Sequence, residues 1–543
     1  MNRFLQHTVI IAAAICCCTA LRAKDEDPSS LIVPRPQSIA AAKKSPVPMK
    51  NHFKVSGSPV NFDSSFDERS RNAIAGFASQ LTMVTGKTSS FASPIGLAKS
   101  AQNGIVKGIV FYRDPSLADE EYSIVISDNS LIVAANGYNS VLYSIQTIKQ
   151  LLPAAVYGHR DASGEDWRLP CMTIHDKPLF GYRGLMLDCS RHFFSTDDIR
   201  KMLDVMAMFK LNRFHWHLTD DQGWRVESVR YPLLTQVGAY RDGTMVEGSS
   251  DGIRYGGYYT KDQIRDIVAY AGSLGIEVIP EIGLPGHMQA ALAAYPQLGC
   301  SGGPYEVKTD WGISSQVLCG GSAATMEFLK GVLEELTELF PYRYIHIGGG
   351  ECRNDEWEKC PVCQAKIAEL GLKDDEASTK EQKLQTWLAG EVQSFLKDKG
   401  KEVITWDEIC DGGTTDGTVM MTCKSTDKAL EVALAGSKQV ILTQSLELLS
   451  HDKSTRLEKA YSSGLPQEVD PKYIPRILGI QANMWSEYVV NGKDIECMLL
   501  PGMLVLSEMQ WNGGEGRNFE TFSKNLVDHE FKVLDEAGYI YNR

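Results

Sequence analysis

The chain has 543 residues and a formal net charge of −13 at pH 7. This acidic balance argues against nucleic acid or an anionic membrane as a partner, because both bind clustered Lys and Arg side chains. Hydrophobic residues make up 43% and charged residues 23% of the chain, which is typical of globular proteins. The length allows two to four domains, although a (β/α)8 barrel alone can take more than about 250 residues.

The N-terminus has the pattern of a secretory signal peptide. Arg3 precedes the apolar run "TVIIAAAICCCTAL", and the polar stretch "LRAKDEDPSS" follows. The run is shorter than the roughly 20 residues that a membrane span needs. We therefore predict a signal peptide over residues 1–23, cleaved after Ala20 or Ala23, and no transmembrane span in the mature chain. Export would place the protein in the periplasm, at the cell surface or outside the cell.

Residues 31–175 predict a smaller α+β domain. Apolar and polar residues alternate, as in half-buried strands, in "NGIVKGIVFYRD", "EYSIVISDNSLIVAANG" and "LPCMTIHD". The apolar residues of "YNSVLYSIQTIKQLL" instead have helical spacing. Nothing in this region indicates chemistry.

Residues 178–543 predict a (β/α)8 barrel. Eight short apolar runs alternate with amphipathic helices such as "STDDIRKMLDVMAMFK" and "TKDQIRDIVAYAGSLG". Continuous apolar runs are typical of parallel strands buried on both faces, and eight of them favour closure over an open sheet. The runs are "RGLMLDCS", "RFHWHLTD", "EVIPEIG", "YIHIGGGE", "EVITWDE", "GTVMMTCK", "QVILTQS" and "ILGIQANMWSE".

Polar and aromatic residues gather at the carboxyl ends of these strands, where barrel enzymes assemble their sites. Carboxylates and Arg hydrogen-bond sugar hydroxyls, and a carboxylic acid kept protonated near neutral pH can protonate a leaving glycosidic oxygen. The pattern therefore predicts a carbohydrate site. The residues are Asp188, Arg191, His217, Asp220, Asp221, Glu281, His287, Glu351, Trp406, Asp407, Trp485 and Glu487.

Six ordered motifs make the function more specific. "RGLMLDCSRHFFS", "NRFHWHLTDDQGWR", "PEIGLPGHMQAALAAYP", "YIHIGGGECRNDEWEKCPVCQ", "VITWDEI" and "ILGIQANMWSEYV" resemble family 20 glycoside hydrolases, the exo-β-N-acetylhexosaminidases. The preceding α/β unit, with "IVPRPQSI" near its start, is similar to the small N-terminal domain of that family. The resemblance implies substrate-assisted retaining catalysis, in which the sugar's own 2-acetamido oxygen attacks the anomeric carbon.

The resemblance also implies roles for individual residues. Glu351 matches the general acid/base, and Asp220 and His287 resemble the pair that supports it. Substrate-binding residues are implied at four further positions: Arg191, Trp406, Trp485 and Glu487.

This chain departs from the family pattern around the acetamido group. Gly350 stands where the family has the Asp that orients the acetamido nitrogen, and Gly283 replaces another Asp. Thr422 replaces a pocket tryptophan, and the tyrosine that binds the acetamido oxygen is absent near Leu448 and Leu449.

These departures leave three interpretations open. The first is an exported hydrolase that removes terminal β-linked N-acetylglucosamine or N-acetylgalactosamine from glycans, with weakened catalysis. The second is a hydrolase of a sugar without the acetamido group, for which Asp220 and Asp221 are the candidate nucleophile or base. The third is a non-catalytic glycan-binding barrel.

The cysteines give no clear metal motif. The "CPVC" pair, Cys360 and Cys363, suggests zinc, but no second pair or nearby His completes four ligands. Disulfides or free thiols are the better expectation for these residues and for Cys300, Cys319 and Cys352. Cys16, Cys17 and Cys18 fit a lipoprotein signal poorly. We expect neither a metal nor an organic cofactor, and an oligosaccharide or glycoconjugate as the partner.

Overall fold

The computed structural model describes nine stretches of the chain. They are residues 31–41, 51–103, 105–246, 248–413, 417–422, 439–444, 455–463, 471–513 and 518–542. The predicted signal peptide lies outside them. No helix within these stretches is long and apolar enough to cross a bilayer.

The N-terminal region is built on a mixed seven-stranded sheet. Its strands lie in the order Ser38–Ala41, Met172–Asp176, Tyr122–Ile126, Ser130–Ala135, Gly108–Arg113, Val60–Phe62 and Phe91–Ala92. His52–Lys54 and Arg168–Pro170 form a separate antiparallel pair. The helices are Glu68–Thr85, Leu97–Gln102 and Tyr138–Leu151. The predicted strands and helix of this region are therefore present.

The first long helix shows how local sequence sets an element. Asp67 lies before its first turn and accepts a hydrogen bond from Ser70 N, as a helix cap does. Gly86 ends the helix with φ 61°, a left-handed conformation that glycine adopts without a Cβ penalty. Ile74, Phe77 and other residues of one face are buried in the core.

Eight parallel strands form a closed barrel, which confirms the predicted fold class. Every predicted apolar run overlaps one barrel strand. Strand 1 is buried along its whole length, as helices packed outside a closed sheet require. In chain order, barrel strands 1 to 8 are Tyr182–Asp188, Arg213–His217, Glu277–Leu284, Tyr344–Gly348, Glu402–Trp406, Val419–Met421, Val440–Gln444 and Ile477–Met484.

Helices surround the barrel. Ser195 and Thr260 cap the helices that follow strands 1 and 2, each through a reciprocal capping box, as the sequence predicts. The helices of this region are Thr196–Met208, Leu233–Gln236, Lys261–Ser273, Gln289–Ala294, Ala323–Leu339, Asp355–Lys359, Pro361–Glu369, Lys380–Asp398, Thr455–Ser463, Gly492–Leu499, Gly502–Asn512, Phe519–Asn525 and Phe531–Ala537. The described loops of this region contain three two-stranded antiparallel sheets: Thr219–Asp220 with Gly223–Trp224, Tyr240–Arg241 with Tyr255–Gly256, and Met245–Val246 with Ser249–Ser250.

A buried polar contact joins the sheet region to the barrel. The Arg183 guanidinium donates to both carboxylate oxygens of Glu120, at 2.8 and 3.0 Å, and to Tyr143 OH at 2.7 Å. Arg183 is 1% exposed. Lys210, also buried, pairs with Asp176 at 3.3 Å. Breaking either pair would leave a charge in a low-dielectric interior, so these contacts hold the two regions together.

Candidate active site

The register of the barrel strands aligns ionisable side chains at one end of the barrel. Asp188 lies beside His217, His217 beside Glu281, and Glu281 beside His346 across strands 1 to 4. Because the strands are parallel, the loops that follow them start from this same face. The predicted site residues lie here.

Glu351 follows strand 4 on a strained turn. Gly348 and Gly349 have φ of 71° and 98°, and Glu351 itself has φ of 49°. A Cβ on Gly348 would lie 2.7 Å from Gly283 Cα, so glycine is required there for both conformation and space. A non-glycine residue with positive φ is a strained conformation of the kind found at functional sites.

Gly350 differs from its two neighbours. Its φ does not lie in the left-handed region, and a Cβ built on it would be 3.3 Å from Trp406 Cδ1. Gly283 is also free of such constraints, because its Cβ would make only ordinary contacts, the nearest at 3.5 Å to His287 Cβ. The absence of aspartate at these positions is therefore not a demand of the backbone.

His287 bridges two carboxylates. Its Nδ1–H donates to Asp220 Oδ1 at 2.9 Å, and its Nε2 lies 3.4 Å from Glu351 Oε2. The structure thus brings together the three residues predicted to be catalytic, with Asp220 acting on Glu351 through the imidazole. His287 has φ of 55°, so both partners in the His–Glu contact occupy strained backbone positions.

The pKa directions of Asp220, His287 and Glu351 are set by the charges of one another and of Arg191. Burial alone would raise the pKa of Asp220, but Arg191 and His287 hold it well below its usual value. Burial would lower the pKa of His287, but Asp220 raises it well above the ordinary value. The hydrogen bond from His287 lowers the pKa of Glu351. Together these directions favour a charged His287 imidazolium between the Asp220 and Glu351 carboxylates when no substrate is bound.

Arg191 lies deep in the site. Its guanidinium pairs with Asp220 at 2.9 Å and with Asp188 at 3.4 Å, and it lies 5.1 Å from the ring centroid of Trp485. The buried Nε–H has no hydrogen-bond partner among the described residues.

The seven residues to which the family resemblance assigns a role all line one cavity of about 220 Å³, whereas Asp188, Asp221 and Asp407 are not among its lining residues. Trp406 is buried, whereas Trp485 is 37% exposed and forms the outer wall. Their ring centroids are 6.1 Å apart and their planes are inclined by 39°. The lining is Arg191, His217, Asp220, Glu281, Gly283, Leu284, Gly286, His287, Gly348, Gly349, Gly350, Glu351, Trp406, Glu408, Trp485 and Glu487.

Two lining carboxylates have positions that the motifs did not assign a role. Glu281 accepts a hydrogen bond from Trp406 Nε1 at 2.9 Å, which fixes the orientation of the indole. Its other carboxylate oxygen contacts His217 Nδ1 at 2.5 Å. Glu408 accepts from the backbone N–H of Glu351 at 2.5 Å and holds the strained turn. Its position directly after Asp407, at the end of strand 5, is the signal that could have identified it.

The remaining departures from the family pattern are less informative. Thr422 is buried, and its hydroxyl contacts Thr443. It is not among the residues that line the cavity. Leu448 and Leu449 lie outside the described residues.

One expectation about cysteines is wrong. Cys300 and Cys319 lie with Cys360 and Cys363, so the "CPVC" pair does have two further thiols beside it. They come from the loop after strand 3, which sequence spacing could not join to the loop after strand 4.

A closed parallel barrel whose strand ends carry a supported carboxylate, an arginine and two tryptophans has the composition of a carbohydrate-processing hydrolase. Comparison with protein families agrees. Residues 180–514 match the glycosyl hydrolase family 20 catalytic domain, and residues 29–177 match domain 2 of the same family. The chain therefore belongs to glycosyl hydrolase family 20, and it is a glycoside hydrolase by family.

Individual relatives support this assignment. The chain is 37% identical over 444 residues to a β-hexosaminidase of Porphyromonas gingivalis, covering 78% of this chain and 55% of that protein. It is 31% identical over 449 residues to one of Akkermansia muciniphila, covering 79% and 87%. It also resembles a family 20 exo-β-N-acetylglucosaminidase from Vibrio harveyi in complex with N-acetylglucosamine, with 29% identity, a TM-score of 0.78 and coverage of 96% and 80%. The chain spans only about half the length of the P. gingivalis relative.

Proposed function

We propose that this chain is an exported exo-hydrolase that removes terminal β-linked N-acetylhexosamine from glycans. The observation that carries the proposal is the chain of contacts from Asp220 through His287 to Glu351 at the wall of a cavity that Trp406 and Trp485 also line. The cavity is smaller than the roughly 300–1,000 Å³ of drug-sized sites. This size suits one terminal sugar residue better than an internal stretch of glycan.

The chemistry uses the substrate as the nucleophile. The acetamido oxygen attacks the anomeric carbon while Glu351 protonates the leaving glycosidic oxygen, which gives a bicyclic oxazolinium ion and the free aglycone. Water, deprotonated by the Glu351 carboxylate, then attacks the same carbon from the opposite face and regenerates the acetamido group. The β configuration is retained because the carbon is inverted twice.

Glu351 can obtain its proton from His287. The two side chains are 3.4 Å apart, and a bound sugar would remove water from a carboxylate that is 44% exposed. Desolvation raises the pKa of a carboxyl group, so substrate binding favours transfer of the proton from the imidazole to Glu351. The hydrogen bond from His287 Nδ1 to Asp220 keeps the imidazole in place during the transfer.

The other lining residues bind and orient the sugar. The guanidinium of Arg191 and the carboxyl group of Glu487 line the cavity and offer donors and an acceptor for ring hydroxyls. The indoles of Trp406 and Trp485 offer apolar faces to the ring. Burial raises the pKa of Glu487, and a hydrogen bond from a sugar hydroxyl would stabilise its charged form.

The proposed activity is weak because no aspartate orients the acetamido group. By analogy with the loss of one oxyanion-hole donor, the cost is about 2.7–4 kcal/mol, or roughly 100- to 1,000-fold in turnover. The alternative hydrolase, for a sugar without the acetamido group, has less support. Asp220 and Asp221 are both buried, and the Asp220 carboxylate is paired with Arg191, His217 and His287. A carboxylate paired in this way is poorly placed to attack a sugar or activate water.

The test uses two aryl β-glycosides that differ only at the second ring carbon, one with an acetamido and one with a hydroxyl group. We expect hydrolysis of the acetamido substrate alone, and its loss in Glu351→Gln, which keeps the shape of the side chain. Turnover of the 2-hydroxy substrate would favour the alternative hydrolase. Binding of the monosaccharide in calorimetry without turnover of either substrate would favour a glycan-binding barrel.

Export is supported by the composition of residues 1–23 alone. When the full chain is expressed, we expect the product in the periplasmic or extracellular fraction, with its N-terminus cleaved after Ala20 or Ala23. A variant without residues 1–23 should stay in the cytoplasm. An uncleaved full chain in the cytoplasmic fraction would contradict this part of the proposal.

A further inference from the structure

Four cysteines converge beside the active-site loops. The Sγ atoms of Cys300, Cys319, Cys360 and Cys363 all lie within 4.8 Å of one another. Cys300 and Cys319 belong to the loop after barrel strand 3, which carries His287. Cys360 and Cys363 belong to the loop after strand 4, which carries Glu351.

The spacing of the sulfur atoms is that of a tetrahedral metal site. Cys300 and Cys363 are separated by 3.8 Å, Cys319 and Cys360 by 3.8 Å, and Cys319 and Cys363 by 3.6 Å. Four thiolates at a Zn–S distance of about 2.3 Å form a tetrahedron with edges of about 3.8 Å. A disulfide would instead bring two sulfurs to about 2.05 Å.

The surroundings suit thiolates held in a closed site. Cys319, Cys360 and Cys363 are at most 5% exposed, and Trp357 and Leu384 pack in the same cluster. Such a shell would exclude water from a bound ion.

Backbone groups add favourable charge. Cys360 is the N-cap of the helix Pro361–Glu369, and Cys363 lies in its first turn. The positive end of a helix stabilises negative charge. Gly321 lies close to the backbone of Cys363. A Cβ on Gly321 would lie 2.8 Å from Cys363 Cα, so glycine permits this close approach.

We propose that Cys300, Cys319, Cys360 and Cys363 bind one structural Zn²⁺ ion as a tetrathiolate site. Two loops supply two ligands each, and the second pair has the Cys-x-x-Cys spacing of many zinc sites. All four positions are taken by protein thiolates, so the ion has no position for substrate or water and serves structure only.

The ion would join the two loops that meet at the catalytic contact. His287 and Glu351 lie on these loops, and both have left-handed backbone conformations. Strained conformations persist only where the surroundings over-determine them. A metal cross-link between the loops would supply that constraint without touching the sugar.

The experiment is metal analysis of the full chain, purified without chelator or reductant. We expect about one zinc per chain by inductively coupled plasma mass spectrometry. Intact mass and peptide mapping after denaturation without reduction should show Cys300, Cys319, Cys360 and Cys363 as unoxidised thiols. Cobalt exchanged into the unmodified protein should give the visible absorption bands of a tetrahedral tetrathiolate site, which needs no variant to fold.

Variants locate the ion. Cys363→Ser should lower the zinc content to well below one per chain, whereas Cys497→Ser, outside the cluster, should leave it unchanged. A mass four hydrogens lower, with cross-linked peptides joining these cysteines, would replace the proposal by two disulfides. Four free thiols without zinc, or zinc retained in Cys363→Ser, would also overturn it.

Discussion

Restoring the missing carboxylate should increase activity, and the structure allows the change. Gly350→Asp places a carboxylate directly before Glu351, where the family carries one. The φ of Gly350 is accessible to any residue, unlike those of Gly348 and Gly349. The nearest atom to the new Cβ is Trp406 Cδ1 at 3.3 Å, a side-chain contact that a shift of a few tenths of an ångström relieves.

The substitution should change two quantities, the rate constant kcat and the free energy of unfolding. The new carboxylate contributes about 2.7–4 kcal/mol in the transition state if it behaves like one oxyanion-hole group, or roughly 100- to 1,000-fold in kcat. Moving the Trp406 indole costs stability, because its Nε1–H is bonded to Glu281. Overpacking of this kind costs about 1–3 kcal/mol in the free energy of unfolding. We therefore expect a faster but less stable enzyme.

The assay compares Gly350→Asp with Gly350→Ala and Gly350→Asn. Alanine adds the Cβ without a carboxylate, and asparagine adds the shape without the charge. We expect kcat on the aryl acetamido substrate to rise only for aspartate, and the unfolding temperature to fall by a similar amount in all three. The gain should be absent on the 2-hydroxy substrate, which has no acetamido nitrogen to orient.

Equal kcat values for the aspartate and alanine variants would refute the reasoning. That result would mean that the pocket is altered beyond this one position, for example at Gly283. An equal gain on the 2-hydroxy substrate would show that the new carboxylate acts in some other way than on the acetamido group.

Three further outcomes are expected. In His287→Gln the cation that lowers the pKa of Glu351 is lost, so Glu351 stays protonated to higher pH. The basic limb of the plot of kcat/KM against pH should therefore move to higher pH. An unmoved limb would contradict the coupling between His287 and Glu351. Glu120→Ala leaves Arg183 buried without its carboxylate partner, so the free energy of unfolding measured in urea should fall by about 3 kcal/mol. Glu536→Ala is the control: it breaks an exposed ion pair with Arg160 and should lower the free energy of unfolding by less than about 1 kcal/mol. Burial raises the pKa of Glu530 to about 8, above its unfolded value of about 4.3, so the wild type loses stability as the pH rises between these two values. Glu530→Gln should therefore melt at a higher temperature than the wild type at about pH 8, and at the same temperature at about pH 4. Equal melting temperatures at both pH values would show that Glu530 does not titrate in this range.

The sequence alone determined the architecture. Eight apolar runs separated by amphipathic helices leave few ways to bury every strand on both faces, and barrel closure is one of them. Because parallel strands end at one face, the positions of Arg191, Trp406 and Trp485 along the chain were enough to predict that they share a cavity. The caps at Ser195 and Thr260 were also predictable, since capping depends on residues a few positions apart.

The tertiary structure decided what depends on the paths of the loops. Periodicity carries no information about residues with left-handed backbone, so only the folded chain shows that His287 lies between Asp220 and Glu351. The direction of the Glu351 pKa follows from that distance and could not be predicted without it. The same holds for the difference between Gly350 and its two glycine neighbours.

The four cysteines are the clearest case. Cys300 and Cys363 are far apart in sequence, and no local pattern relates them. Strands 3 and 4 are neighbours in the closed barrel, however, and their loops leave the same face side by side. Contacts between such loops are set by packing of side chains distant in sequence, which is why the motifs predicted the barrel but only the folded chain brought these thiols together.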